Sequence, residues 1–98
     1  MKKFKANRKG FKFEYEFEDG KVEVVEYLEA TTKQIDKGLK LDDDVTTRLS
    51  YTKEVLQACL KADKKVIEKI IEEQTNDANI YEFKAQLDEE LGKLKESE

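Results

Sequence analysis

The stretch FKFEYEFEDGKVEVVEY, residues 11–27, sets Phe11, Phe13, Tyr15 and Phe17 alternately with Lys12, Glu14, Glu16 and Glu18. Period two is the pattern of a strand with one apolar and one wet face. Asp19-Gly20 is the preferred chemistry of a two-residue hairpin turn, since both positions of that turn need positive φ. Such a turn sets Glu18 opposite Lys21, Phe17 opposite Val22, Tyr15 opposite Val24 and Glu16 opposite Glu23. Val25 and Tyr27 then have the wrong parity, so the pattern predicts a β-bulge near Val24-Val25 that brings Phe13 opposite Tyr27. Upstream, Phe4 and Ala6 alternate with lysines, and Asn7-Arg8-Lys9-Gly10 is turn chemistry. Pairing Ala6 with Phe11 and Phe4 with Phe13 extends the hairpin to a three-stranded meander over residues 3–28.

Beyond Leu28 the period becomes helical. Thr31-Thr32-Lys33-Gln34 fits a capping box, with Ile35 and Leu39 on a short helix that ends between Gly38 and Leu41. Asp42-Asp43-Asp44 supplies acids to the positive end of the next helix dipole. Val45, Leu49, Thr52, Leu56, Cys59 and Leu60 form the apolar stripe of that helix. Asp63 is the expected N-cap of a third helix carrying Val66, Ile67, Ile70 and Ile71. Residues 75–79 break it. A last helix carries Ile80, Phe83, Leu87, Leu91 and Leu94, and residues 95–98 fray. Strands first and helices afterwards imply one α+β domain over residues 1–98: an N-terminal antiparallel β-hairpin or three-stranded meander, then three to four α-helices over residues 31–94 packed on one face.

Composition narrows the function classes. The chain of 98 residues is 38% hydrophobic and 43% charged, but 19 basic and 23 acidic residues nearly cancel. Near-balance of charge with regularly spaced rings reads as a folded chain. A net charge of −4 argues against nucleic acid as a partner, although Lys and Arg concentrate near the N-terminus. No apolar run approaches the length of a membrane span, and MKKFKANRKG lacks the hydrophobic stretch of a signal peptide. A single cysteine, Cys59, fits a reducing compartment, so the expected location is the cytoplasm.

Candidate chemistry is sparse. The chain has no histidine, the side chain most used for acid–base work near neutral pH and a principal zinc ligand. Cys59 lies on an apolar stripe and reads as a small buried hydrophobe. Measured as a calcium loop from Asp42, the glycine position holds Thr47 and the bidentate glutamate position holds Lys53, so the spacing fails. The expectation is no enzyme, no metal and no cofactor. The row of rings could stack bases, but glutamates interleave it and would repel phosphate, so it reads as the floor of the core together with Val22 and Val24. Interest moves to the helices. Ile67, Ile70, Ile71, Tyr81, Phe83, Leu87 and Leu91 are the candidate partner-binding residues, either closing the core or offering a face to another helix or a second copy.

A lysine-rich start, the strand-turn-strand FKFEYEFEDGKVEV, the helix start Thr31-Thr32-Lys33-Gln34 and several acidic Leu/Ile-bearing helices follow one another in this chain. In that order and pattern the sequence resembles the tail assembly chaperones of long-tailed phages and prophages. The resemblance implies a non-enzymatic protein of the bacterial host cytoplasm. Its partner would be the long helical tape-measure protein, which it keeps soluble while tail-tube subunits are recruited. The resemblance carries no residue-level binding motif to these positions. The alternative is a small homodimeric interaction or regulatory module unrelated to tails.

Overall fold

A computed structural model describes the chain apart from residues 6, 42–44, 75, 97 and 98 and the side chains of Val45, Thr46 and Asp77. The elements are β1 (Gly10–Glu16), β2 (Val22–Leu28), α1 (Thr32–Leu39), α2 (Val45–Cys59), β3 (Leu60–Lys61), α3 (Lys64–Glu72) and α4 (Asp77–Glu96). Among the described residues the fold is α+β, with a three-stranded antiparallel sheet in the order β1-β2-β3 and four helices.

The hairpin turn differs from the two-residue form that Asp19-Gly20 suggests. Phe17 N–H donates to the Lys21 carbonyl at 2.8 Å and Gly20 N–H to the Phe17 carbonyl at 2.9 Å. Glu18, Asp19 and Gly20 thus form a three-residue loop, with Gly20 at φ 87° in the left-handed position that such loops require. Asp19 Oδ1 accepts from Lys21 N–H at 2.9 Å, and this bond, aided by Lys69, holds the Asp19 carboxyl below its ordinary pKa. One extra loop residue shifts the register by one. Phe13 faces Val25, Phe11 faces Tyr27, Tyr15 faces Glu23 and Glu16 faces Val22. The ladder runs unbroken from Gly10–Leu28 to Glu16–Val22, so no bulge is needed at Val24-Val25. Val25 and Tyr27 join the face of the rings and are buried. Val22 and Val24 turn to the opposite face, 52% and 61% exposed, and are not part of the core floor. Around Gly20 there is open space, so Gly20→Ala meets only the left-handed backbone penalty, an expected loss of about 1–2 kcal/mol in urea unfolding.

The third strand comes from another part of the chain than the meander predicts. Leu60–Lys61 pairs with β2, Tyr27 opposite Leu60 and Glu26 opposite Lys61. Phe4 belongs to no strand and is almost fully exposed; Ala6, its expected companion, lies outside the described residues. Instead of making a strand, the segment before β1 is anchored at Arg8, whose guanidinium donates twice to the Glu29 carbonyl at 2.7 and 2.9 Å. At the start of β1 the backbones run close: a Cβ on Gly10 would stand 2.6 Å from the Tyr27 carbonyl oxygen.

The first and third helices start where their capping residues predict. Thr31 caps α1 with the reciprocal Gln34 bond, and the Asp63 carboxylate accepts from Lys65 N–H at the start of α3. Asn76 Oδ1 accepts from Asn79 N–H at 2.9 Å and caps α4, which continues through Glu96. The Asp42-Asp43-Asp44 helix start lies outside the described residues. α4 packs on the ring-bearing side, while Lys12, Glu14, Glu16 and Val24 on the reverse are exposed. The core joins Phe17, Val25 and Tyr27 of the sheet region to Val55, Leu56 and Cys59 of α2, Leu60, Ile70 of α3, and Ile80, Leu87 and Leu91 of α4. Thr52 is the one buried polar residue among those described, and its hydroxyl donates to the Arg48 carbonyl one turn back.

Candidate functional site

The row of rings is a wall of the core. Phe83 of α4 meets Tyr15 and Phe13 edge-on at 5.9 and 6.4 Å, while Tyr15 meets Phe17 at 5.0 Å and Phe11 meets Tyr27 at 6.1 Å. Lys69 of α3 stands over the Phe17 ring at 4.5 Å. The hairpin tip is tied to the end of α3, where Glu73 accepts from Tyr15 hydroxyl at 3.4 Å and from Glu18 N–H at 3.3 Å. Burial first, and then the Glu73 carboxylate, push the Tyr15 phenol above its ordinary pKa, against an opposing hydrogen bond from Gln74.

The seven residues singled out from the helical stripes fall into three groups. Ile70, Leu87 and Leu91 are core. Ile67, Ile71 and Phe83 are half-buried and pack against it. Tyr81 alone of the set is exposed, at 36%. Six of the seven thus take part in closing the core.

Tyr81 lies in an open groove of about 560 Å³ between α2 and α4, roofed at one end by the segment after α1. Leu41, Tyr51, Tyr81 and Ala85 supply its apolar surface, with Lys84 and Asp88 along the α4 side. Two contacts build the wall formed by α1. Tyr51 hydroxyl donates to the Gln34 carbonyl at 2.7 Å, and Gly38 is the residue that lets α1 approach, since a Cβ there would stand 2.5 Å from that hydroxyl oxygen. On the opposite wall Asp88 Oδ2 accepts from Lys84 at 2.7 Å. Its Oδ1 accepts from the hydroxyl of Tyr27, whose ring is buried in the core. Burial, then the hydrogen bond and charge of Asp88, drive the Tyr27 phenol pKa strongly upward.

Beside the groove, α1 exposes Ile35 at 51% and Leu39 at 80%, four residues apart on one helical face, and none of its residues is buried. Ile35 and Leu39, the apolar pair expected on the short helix, are thus turned to solvent. Lys33, Asp36, Lys37 and Lys40 border an adjoining recess, and Lys37 pairs with Glu54 of α2 at 2.6 Å. Leu41, Tyr51 and Ala85 carry no periodic signal of their own. The packing of α4 on α2, together with the approach of α1 to α2, brings them together.

Cys59 is fully buried, and burial raises its thiol pKa despite Arg8 nearby. Its sulfur lies 3.9 Å from an Arg8 nitrogen and 3.8 Å from Gln34 Oε1, so it joins the N-terminal segment, α1 and α2. A neutral, enclosed thiol is a packing residue and a poor nucleophile. Among the described residues no helix is long and apolar enough to cross a membrane. No protein-family model, curated protein or solved structure matches this chain.

Proposed function

We propose that this is a non-enzymatic protein-binding chaperone that holds an amphipathic helix of another protein. On the resemblance of its strand-turn-strand and capped helices to tail assembly chaperones, the partner is a phage tape-measure protein, with tail-tube subunits recruited around it in the host cytoplasm. The observation that carries the binding reading is the exposed pair Ile35 and Leu39 on α1, the helix whose Gly38 lines the groove of Leu41, Tyr51, Tyr81 and Ala85. Exposed apolar side chains next to an open apolar groove are how a helical partner is read, through residues one turn apart. The charged rim of Lys37, Lys84 and Asp88 keeps such a surface soluble when empty. A non-enzymatic role suits a chain with no histidine and with its one thiol sealed in the core.

Co-expression tests the reading. A tape-measure protein made with this chain should gain solubility and co-purify with it, and Leu39→Glu with Tyr81→Glu should weaken the complex at least about tenfold, one exposed apolar contact each being worth on the order of 1 kcal/mol or more. Both substitutions are at exposed positions, so circular dichroism should show the fold unchanged. Absence of co-purification and of any solubility gain, or binding indifferent to both substitutions, overturns it.

A further inference from the structure

We propose that two copies of this chain associate through the outer edge of β1, running antiparallel about a twofold axis at Phe13, to form one continuous six-stranded sheet. The sheet order leaves β1 at an edge. Its bonds to β2 identify which backbone groups that edge presents. Phe17 bonds to Lys21 and Glu29 to Lys9, and bonded pairs alternate along an antiparallel ladder, so odd positions of β1 bond inward. Gly10, Lys12, Glu14 and Glu16 therefore turn their N–H and C=O groups outward.

An antiparallel copy can bond only even positions to even positions, which leaves a short series of registers to compare. Centred on Phe13, Lys12 lies opposite Glu14 of the second copy, Glu14 opposite its Lys12, and Gly10 opposite its Glu16, with the full strand overlapped. Shifting by one bonded step in one direction sets Lys12 against Lys12; in the other it sets Glu14 against Glu14, a repulsion added to the Lys12–Glu16 pairs that register makes. Opposite charges across a strand pair stabilise and like charges directly opposed destabilise. The register of greatest overlap is thus the one in which the edge charges complement themselves. Charges on an edge strand ordinarily repel other strands; here two identical edges attract. On the helix side the same axis sets Phe11 opposite Tyr15 and Phe13 opposite Phe13, rings that are only half-buried in one copy. They would meet as non-bonded pairs, where side chains approach most closely.

Lys12 and Glu14 are both exposed on the face away from the helices, so their charges can be changed without touching the core. Sedimentation analysis of the full chain should show a monomer–dimer equilibrium. Glu14→Lys replaces both attractive pairs by repulsive ones and should raise the dimer Kd at least about tenfold. Lys12→Glu combined with Glu14→Lys restores opposite charges in the same register and should return the Kd to near that of the parent. Amide hydrogen exchange adds a backbone readout, with Lys12 and Glu14 gaining protection as concentration rises. A parent chain monomeric at every concentration overturns the proposal. So does a dimer whose Kd ignores Glu14→Lys or stays weak in the double variant, the result expected if other surfaces join the copies or if the edge serves a different polypeptide.

Discussion

Leu56→Ala is expected to cost about 2–5 kcal/mol, a large part of the stability of a domain this size. Leu56 is fully buried in the last turn of α2, the helix that touches α4, α3 and β3. Removing its side chain opens a cavity inside the core cluster, whose members are held by their own helices and strands, so little of the void can collapse. At roughly 4–8 °C per kcal/mol for a domain of this length, the melting temperature should fall by about 8–40 °C. Val24→Ala is the matched control: it removes apolar atoms from a strand, but at a site 61% exposed on the outer face, and should change stability by under about 0.5 kcal/mol. Thermal and urea unfolding of both variants checks the pair. A Val24→Ala loss comparable to that of Leu56→Ala would contradict the observed hairpin register.

That contrast marks where the sequence is legible. The ring row Phe11, Phe13, Tyr15 and Phe17 shows its face by period alone, and Thr31, Gln34 and Asp63 mark helix starts, because both signals are local. Register is not local. Asp19-Gly20 serves a two-residue turn as readily as the last two positions of a three-residue one, and that single residue decides whether Val24 or Val25 enters the core. The parity change at Val25 and Tyr27 held the answer. It was absorbed by a bulge when a longer turn accounts for it with no defect. Leu60 belongs to the apolar stripe of α2 by spacing, yet it leaves the helix after Cys59 to lie opposite Tyr27. No local pattern distinguishes one more helical turn from two residues of strand. The groove is harder still, since Tyr51, Tyr81 and Leu41 come from three segments and meet because α4 packs on α2 and Gly38 lets α1 approach Tyr51. Among the residues proposed from the stripes, Ile70, Leu87 and Leu91 look identical in pattern to a binding face, and a core and a docking surface share the same periodicity.

Tyr27 joins the core to the groove, and replacing it should have the second large effect. Its ring is 2% exposed and its hydroxyl donates to Asp88 at 2.5 Å. Tyr27→Ala should cost about 3–5 kcal/mol, as for other large aromatics removed from a core. Tyr27→Phe keeps the ring and removes only the bond to the carboxylate, for an expected loss of about 1.5–3 kcal/mol. The difference between the two variants separates packing from polar linkage. Alkaline pH gives an independent reading. Burial and the Asp88 charge raise the Tyr27 phenol pKa above that of an unfolded tyrosine, so the folded state keeps a proton that the unfolded chain releases. The stabilisation is complete below the unfolded value, about pH 10, and is lost as pH rises beyond it toward the folded value. Tyr15 shifts in the same direction and adds to the decline. Urea unfolding at about pH 8 and about pH 11 should therefore show the parent losing stability faster than Tyr27→Phe, the gap approaching 1.4 kcal/mol per pH unit once the unfolded tyrosine is ionised. Equal slopes for the two proteins would mean that the Tyr27 hydroxyl reaches water, and that Asp88 on the groove wall is held by Lys84 alone.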